Sequence, residues 1–304
     1  MEGASTSLVI TSSTTLQKNI TLVGVKGASI TSRSDSEVRQ VFEITSLVNL
    51  KFVSLRVKGV ALIRLSVSEG RASIIIWKCW FEGVTPFTDK VFSSLGHVPY
   101  IEVESAENSN ITLQITGTTF KDAPAPMKLK TSYTWRSSRF NIITLAITNT
   151  TFTGIETYLS IRDAMSATIL DTVFDEVKGF VMYVRNVRIQ RCRFISVTDL
   201  VLIDSRERGS GGRAYFSDVV FENFPLLVQA LSIKAEIIEM NNCTVSNISA
   251  RHHVLAFYYS KNIRIRNLTC LSNSVQRNGG CIDLTNIHGE CKLSIEGSHF
   301  LNNT

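Results

Sequence analysis

The sequence predicts an all-β chain wound as a right-handed parallel β-helix solenoid of about ten to eleven coils, with three short strands per coil. Three observations carry that expectation. A short pattern returns ten times along the 304 residues, reading L-A-I-T-N-T-T-F at Leu145 to Phe152 and V-R-I-Q-R-C-R-F at Val187 to Phe194. A turn-forming residue falls at the same place in most copies. No stretch shows the period of an amphipathic helix. Self-similarity at intervals of about 20 to 50 residues is the mark of a solenoid or an array.

Each element of the repeat has a physical reason. The residue just before the turn is Phe52, Ile76, Ile115, Ile147, Ile169, Ile189, Phe216, Met240, Ile265 or Ile295, and the residue two earlier is apolar in every copy. A spacing of two with β-branched enrichment is a strand with one buried face. Two residues after the reference come Ser54, Lys78, Gly117, Asn149, Asp171, Arg191, Asp218, Asn242, Asn267 and Gly297. Seven of these ten are Gly, Asn or Asp, which tolerate the left-handed backbone, so one sharp corner is expected per repeat. A second short strand turns Leu55, Cys79, Thr118, Thr150, Thr172, Cys192, Val219, Cys243, Leu268 or Ser298 inward. It ends on an inward Phe-type position: Val57, Phe81, Phe120, Phe152, Phe174, Phe194, Phe221, Val245, Cys270 or Phe300. A third strand opens each coil, with Ile101 and Val103, Leu159 and Ile161, Val181 and Tyr183, Val201 and Ile203, Leu255 and Phe257, or Ile282 and Leu284 facing in.

Stacking such coils at about 4.8 Å puts like residues in ladders, the Phe ladder above all. The chain reads as a single domain over residues 1–304, with loop insertions near 82–100, 121–140 and 205–213. Neither end carries an amphipathic cap over its strand edges, which makes it a part of a longer polypeptide on this reading.

Hydrophobic content of 44% with 19% charged residues is globular, and a net charge of +6 is a mild basic bias without the clustering of a nucleic-acid binder. No apolar run reaches the roughly 18 to 20 residues of a membrane span, and no signal peptide is visible in this segment. Seven N-x-S/T sequons begin at Asn19, Asn110, Asn149, Asn242, Asn247, Asn267 and Asn302, more than composition alone supplies, and they favour a secreted or cell-surface glycoprotein.

The stacked pattern resembles the parallel β-helix repeats of pectate-lyase-like proteins over nearly the whole chain. The last coil is similar to the polymorphic outer-membrane-protein repeat, G-G-[A/I] followed by F-x-x-N. Here these stand as Gly279-Gly280-Cys281-Ile282 and Phe300-Leu301-Asn302-Asn303. That resemblance implies an adhesin-like surface protein, with glycans or other cell-surface proteins as partners.

Several residues are candidates for chemistry. Asp163, Asp204 and Asp283 lie in or beside the third-type strand of different coils, but glycosidase chemistry needs carboxylates about 5 to 9.5 Å apart and these are not on adjacent coils. They read as turn or solvated residues, and no catalytic set is assigned. The five histidines are scattered, without metal-ligand spacing, and neither metal nor cofactor is expected. Arg188, Arg193, Arg264 and Arg266 are candidates for binding the oxyanions of an acidic glycan, although an ordinary solvated face is the reading such a charge run favours. Trp77 and Trp80 run out of phase with Ile76 and Phe81, so at least one is exposed. With Tyr133 and Trp135 of the second long insertion they form a candidate sugar-stacking or protein-contact surface, packing of loop aromatics onto the flank being the structural alternative. Cys79, Cys192 and Cys243 share one inward ladder position, while Cys281 and Cys291 are the best disulfide candidates. The function expected is a non-enzymatic adhesion or recognition scaffold. The alternative is a polysaccharide lyase or glycoside hydrolase acting on an acidic polysaccharide.

Overall fold

A computed structural model describes residues 7–10, 14–16, 19–25, 28–32, 40–44, 49–58, 61–67, 70–83, 100–105, 109–123, 126–131, 142–205, 211–225, 227–277, 280–285 and 290–304. The core of each predicted insertion, at 84–99, 132–141 and 206–210, lies outside them, and Trp135 with it. Every regular element among the described residues is a β-strand, and their strands pair in parallel. The chain divides into two compact units, Met1–Leu159 and Ser160–Thr304.

In the first unit most strands pair with the third strand before or after them. Gly70–Trp77 lies between Asn49–Val53 and Ser109–Thr116, and the last of these pairs in turn with Ile142–Thr148. The register aligns Leu50, Ile74, Leu113 and Leu145 in one row and Phe52, Ile76, Ile115 and Ile147 in the next, as the sequence pattern requires. All eight are buried. Arg56–Lys58, Trp80–Glu82 and Thr119–Lys121 form the second row of strands and align Val57, Phe81 and Phe120, with Phe152 next in register. Phe81 and Phe120 stack at 4.7 Å between centroids, Phe120 and Phe152 at 4.8 Å. Tyr100, fully buried, meets Phe81 edge-on at 5.1 Å, and its hydroxyl has no hydrogen-bond partner among the described residues.

The second unit repeats the arrangement. Val187, Ala214, Ile238, Ile263 and Leu293 align, as do Ile189, Phe216, Met240, Ile265 and Ile295. The Phe row runs Phe174, Phe194, Phe221, Val245, Cys270, Phe300, with Phe174–Phe194 stacked at 4.6 Å and Phe194–Phe221 at 5.0 Å. Leu284, Leu293, Ile295 and Phe300 hold their register but are 39 to 46% exposed.

All ten predicted corner residues have positive φ, from 48° at Asn149 to 59° at Gly117 and Gly297. Eight of these ten corner N–H groups, all but those of Asn149 and Gly297, donate to a carbonyl of the following repeat. Lys78 donates to the carbonyl of Thr116, Arg191 to Ser217, Asp218 to Asn241 and Asn267 to Glu296. A second left-handed corner, absent from the sequence reading, follows five residues later at Gly83, Asp122, Gly154, Glu176, Ser196, Asn223, Asn247, Ser272 and Asn302.

Cys, Thr and Ser interchange at the inward position after the first corner because each can reach the carbonyl two residues back. Thr172 Oγ1 donates to Leu170 O at 2.8 Å, Thr150 to Thr148 O at 3.0 Å, and the Cys192 thiol to Gln190 O at 3.2 Å. A buried hydroxyl or thiol there finds an acceptor for its own hydrogen, on a carbonyl that can also take the corner N–H of the preceding repeat, as Gln190 O takes that of Asp171. Burial raises the thiol pKa of Cys192 and Cys243 to about 11.

One strand differs from expectation. In Val173–Gln190 the inward residues are Phe180, Met182 and Val184, while Val181 and Tyr183 stand on the other face in register with Leu202 and Asp204. That outer face is itself covered: Leu202, Asp204, Ser232, Ala256 and Tyr258 are all buried. With both faces apolar or shielded, alternation no longer marks which side faces the core.

Candidate functional site

Three outward surfaces concentrate chemistry, and each follows from the register. The first is the basic row of the second unit. Arg188, Arg193, Arg264 and Arg266 are all exposed, as their alternation with Ile189, Phe194 and Ile265 predicts. The structure does not leave them as a free stack. Arg193 pairs with Glu222 on the next repeat, and Arg266 Nε lies 3.3 Å from Glu296 Oε2. Arg188 lies over the Tyr215 ring at 5.5 Å and donates to Gln190. Arg264 stands in register between Glu239 and Ser294. Further pairs between repeats join Arg191 to Asp171, through two bonds of 2.6 and 2.8 Å, and Lys261 to Glu236 at 2.9 Å. The Arg191 guanidinium holds the Asp171 carboxyl below its ordinary pKa; Asp218 is lowered by the Ser217 hydroxyl and the Asn242 amide.

The second surface is the covered outer face of the third-type strands in the same unit. Parallel register places Tyr183, Asp204, Lys234, Tyr258 and Thr285 in one row. Lys234 Nζ is 3.9 Å from Asp204 Oδ2 and 5.5 Å from the Tyr258 ring centroid. In the neighbouring row Asp283 accepts from the Thr285 hydroxyl, and His253 Nδ1 faces Asp283 Oδ2 at 2.9 Å. His253 Nδ1 makes no hydrogen bond among the described residues, so it and the Asp283 carboxylate face each other without one. Asp204 and Asp283 are separated by the strands carrying Lys234 and Tyr258, about 14 Å at three interstrand steps, which is too far for a two-carboxylate glycosidase. Asp163 lies in a strand, and nothing is described of its side chain.

The third surface is a corner of the first unit, where Trp77 and Trp80 flank Lys78 and Cys79. Both indoles are 39% exposed, and the Lys78 ammonium lies over the Trp77 ring.

The sequons are distributed by the corners. Asn149, Asn242 and Asn267 occupy first corners, Asn247 and Asn302 second corners, and all five are exposed. Asn19 is exposed and accepts from the Asn49 backbone, whereas Asn110 is half-buried within a strand. The disulfide differs from the expected pair: Cys281 joins Cys270, with Cα atoms 6.3 Å apart, and Cys291 is free. Cys270 fills the Phe-type position of its repeat and Cys281 enters just before Ile282, so the fold brings these two together; Cys291 leads instead into Lys292–Glu296. The F-x-x-N segment also finds a physical basis. Asn303 Oδ1 accepts from the side chain of Asn273, the equivalent residue one repeat earlier, at 2.9 Å, and Asn303 Nδ2 donates to Cys270 O at 3.0 Å.

Among the described residues no group of three or more His, Cys, Asp or Glu could hold a metal ion, and no helix is long and apolar enough to cross a membrane. Comparison with protein-family models, curated proteins and solved structures finds no match.

Proposed function

We propose that this chain is a right-handed parallel β-helix of about ten to eleven coils, secreted or displayed at a cell surface, that acts as a non-enzymatic scaffold for recognition of glycans or surface proteins. The three-strand period, the continuous parallel register and two left-handed corners per repeat support the winding. Exposed corner sequons and the Cys270–Cys281 disulfide support an oxidising, glycosylating compartment.

The observation that carries the functional reading is the fate of the outward charges. Arg56–Glu82, Arg191–Asp171, Arg193–Glu222, Lys261–Glu236 and Arg266–Glu296 each join one repeat to the next. Groups neutralised along the stack serve a solvated, soluble ladder better than they serve acid–base chemistry. Incubation with polygalacturonate and related acidic polymers should release neither unsaturated products nor reducing ends, while an array of glycans and surface proteins should yield a saturable ligand. Turnover of any polymer would overturn the scaffold reading.

One observation favours the second reading, a lyase or hydrolase acting on an acidic polysaccharide. Asp204, Lys234 and Tyr258, beside His253 and Asp283, gather polar groups on one shielded sheet face across successive repeats. On that reading Lys234→Ala and Asp283→Asn abolish the turnover that the native chain shows.

A further inference from the structure

The Trp77–Trp80 corner carries more apolar surface than the fold requires. In the row of Trp77 the in-register residues are Val53 and Thr116, with Thr148 beyond; in the row of Trp80 they are Arg56 and Thr119, with Thr151 beyond. Threonine therefore suffices to build these positions in the two following repeats. Cys79 between the indoles is buried and Phe81 beyond them fully so, which fixes both rings outward on the two sides of one corner. An indole pair left 39% exposed where threonine serves the next repeats is the kind of surface that marks a contact site.

The charges around it are one-sided. Lys78 Nζ lies 4.7 Å and Lys51 Nζ 5.9 Å from the Trp77 ring centroid. Neither lysine pairs with a carboxylate among the described residues. Arg56, Lys58 and Lys121 lie in the adjoining rows; among the described residues the carboxylates nearby are Glu82, already bonded to Arg56, and Asp122 at the second corner. Five cations thus face two carboxylates. At Lys234, the other ammonium set against a ring, Asp204 is also present.

We propose that this corner docks an acidic, partly apolar segment of another protein. Carboxylate side chains would take the outward N–H donors of Lys51 and Lys78, and an apolar side chain would cover Trp80. A sugar is the poorer fit, because a pyranose must lie on an aromatic face and the Lys78 ammonium already sits over that of Trp77. An ammonium held against a ring keeps its outer hydrogens for an anion and has less freedom to lose on binding. The inference rests on the scaffold reading and names the partner class of one of its surfaces.

The test uses the full chain and a fluorescein-labelled peptide of six glutamates interrupted by one phenylalanine, titrated by fluorescence anisotropy. Lys78→Asn, which keeps a corner-compatible residue, and Lys51→Gln should each weaken binding several-fold, and about tenfold together. Trp80→Thr, which installs the residue of the following repeat, should weaken it by about tenfold. Arg193→Gln with Arg266→Gln, equally cationic positions in the other unit, should change it less than about twofold. Absence of saturable binding overturns the proposal, as does equal loss in the Arg193/Arg266 control. Tighter binding of polygalacturonate that is lost in Lys78→Asn overturns it in favour of a glycan. In each of these cases the scaffold reading stands unless a polymer is also degraded, so the two failures are told apart.

Discussion

Lys78 in the first unit and Arg191 in the second occupy the same place in their repeats, with φ of 53° and 51°. Each is followed by an inward cysteine that bonds the carbonyl two residues back, and each donates its N–H to the following repeat. Their charges meet different ends. Arg191 is held by both oxygens of Asp171, and Asp218 on the next repeat adds to the field around it. Lys78 rests on a neutral indole, and no carboxylate pairs with it among the described residues. The corner backbone therefore takes the same conformation with either side chain. One copy joins repeats, and the copy that carries the proposed docking corner keeps the same backbone.

The largest effect should be common to both corners. Phe120→Ala and Phe194→Ala each empty a fully buried place in an aromatic stack and should cost about 3 to 5 kcal/mol in urea unfolding. Markedly unequal losses would mean that the two cores are not equivalent supports. Next comes the backbone. Lys78→Gly should stabilise by about 0.5 to 1 kcal/mol, since left-handed strain of roughly 1 to 2 kcal/mol is relieved against the extra chain entropy of glycine. Arg191→Gly should gain less in the same thermal melts, because it also breaks the pair with Asp171.

A smaller difference should appear in acid. The folded-state pKa of Asp171 is lowered, so its contribution is complete above the unfolded carboxylate value of about 3.9 and is lost as pH falls through the folded value. Arg191→Ala should flatten that acid limb of the stability curve, and Lys78→Asn should leave it unchanged. The smallest contrast should be none at all. Cys79 and Cys192 are buried with raised thiol pKa values, so neither should react with a disulfide reagent in the native chain, whereas the half-exposed Cys291 should.

Much of this architecture was legible because a parallel stack repeats its demands. The rows of Ile76, Phe81 and Cys79 could be read from spacing alone, and all ten first corners fall where Gly, Asn and Asp cluster. The second corner left the same signal at Gly83, Asp122, Gly154, Asn223, Asn247 and Asn302, but Glu176, Ser196 and Ser272 diluted it. Val181 and Tyr183 were misplaced because a strand covered on both faces has no polar side to betray its phase. Candidate sites were less legible. The outward direction of Arg193 and Arg266 followed from alternation, yet their carboxylate partners lie 29 and 30 residues away, a distance that only the register can close. Cys281 was assigned to Cys291 for nearness along the chain, when the inward face of Cys270 decides the matter. The cover over Asp204 and Tyr258 had no local signature at all.

Tyr100 gives the first unit a built-in optical reporter. Burial, and then the charge of Glu82, holds its phenol far above the usual range. Below about pH 10, where an unfolded tyrosine stays protonated, that shift favours the native chain; in stronger alkali the advantage drains away as pH climbs toward the folded value. Tyrosinate absorbance from this ring should therefore emerge only when the layers around Phe81 part, so an alkaline jump followed in the near ultraviolet would time the opening of the interior directly beneath the paired indoles.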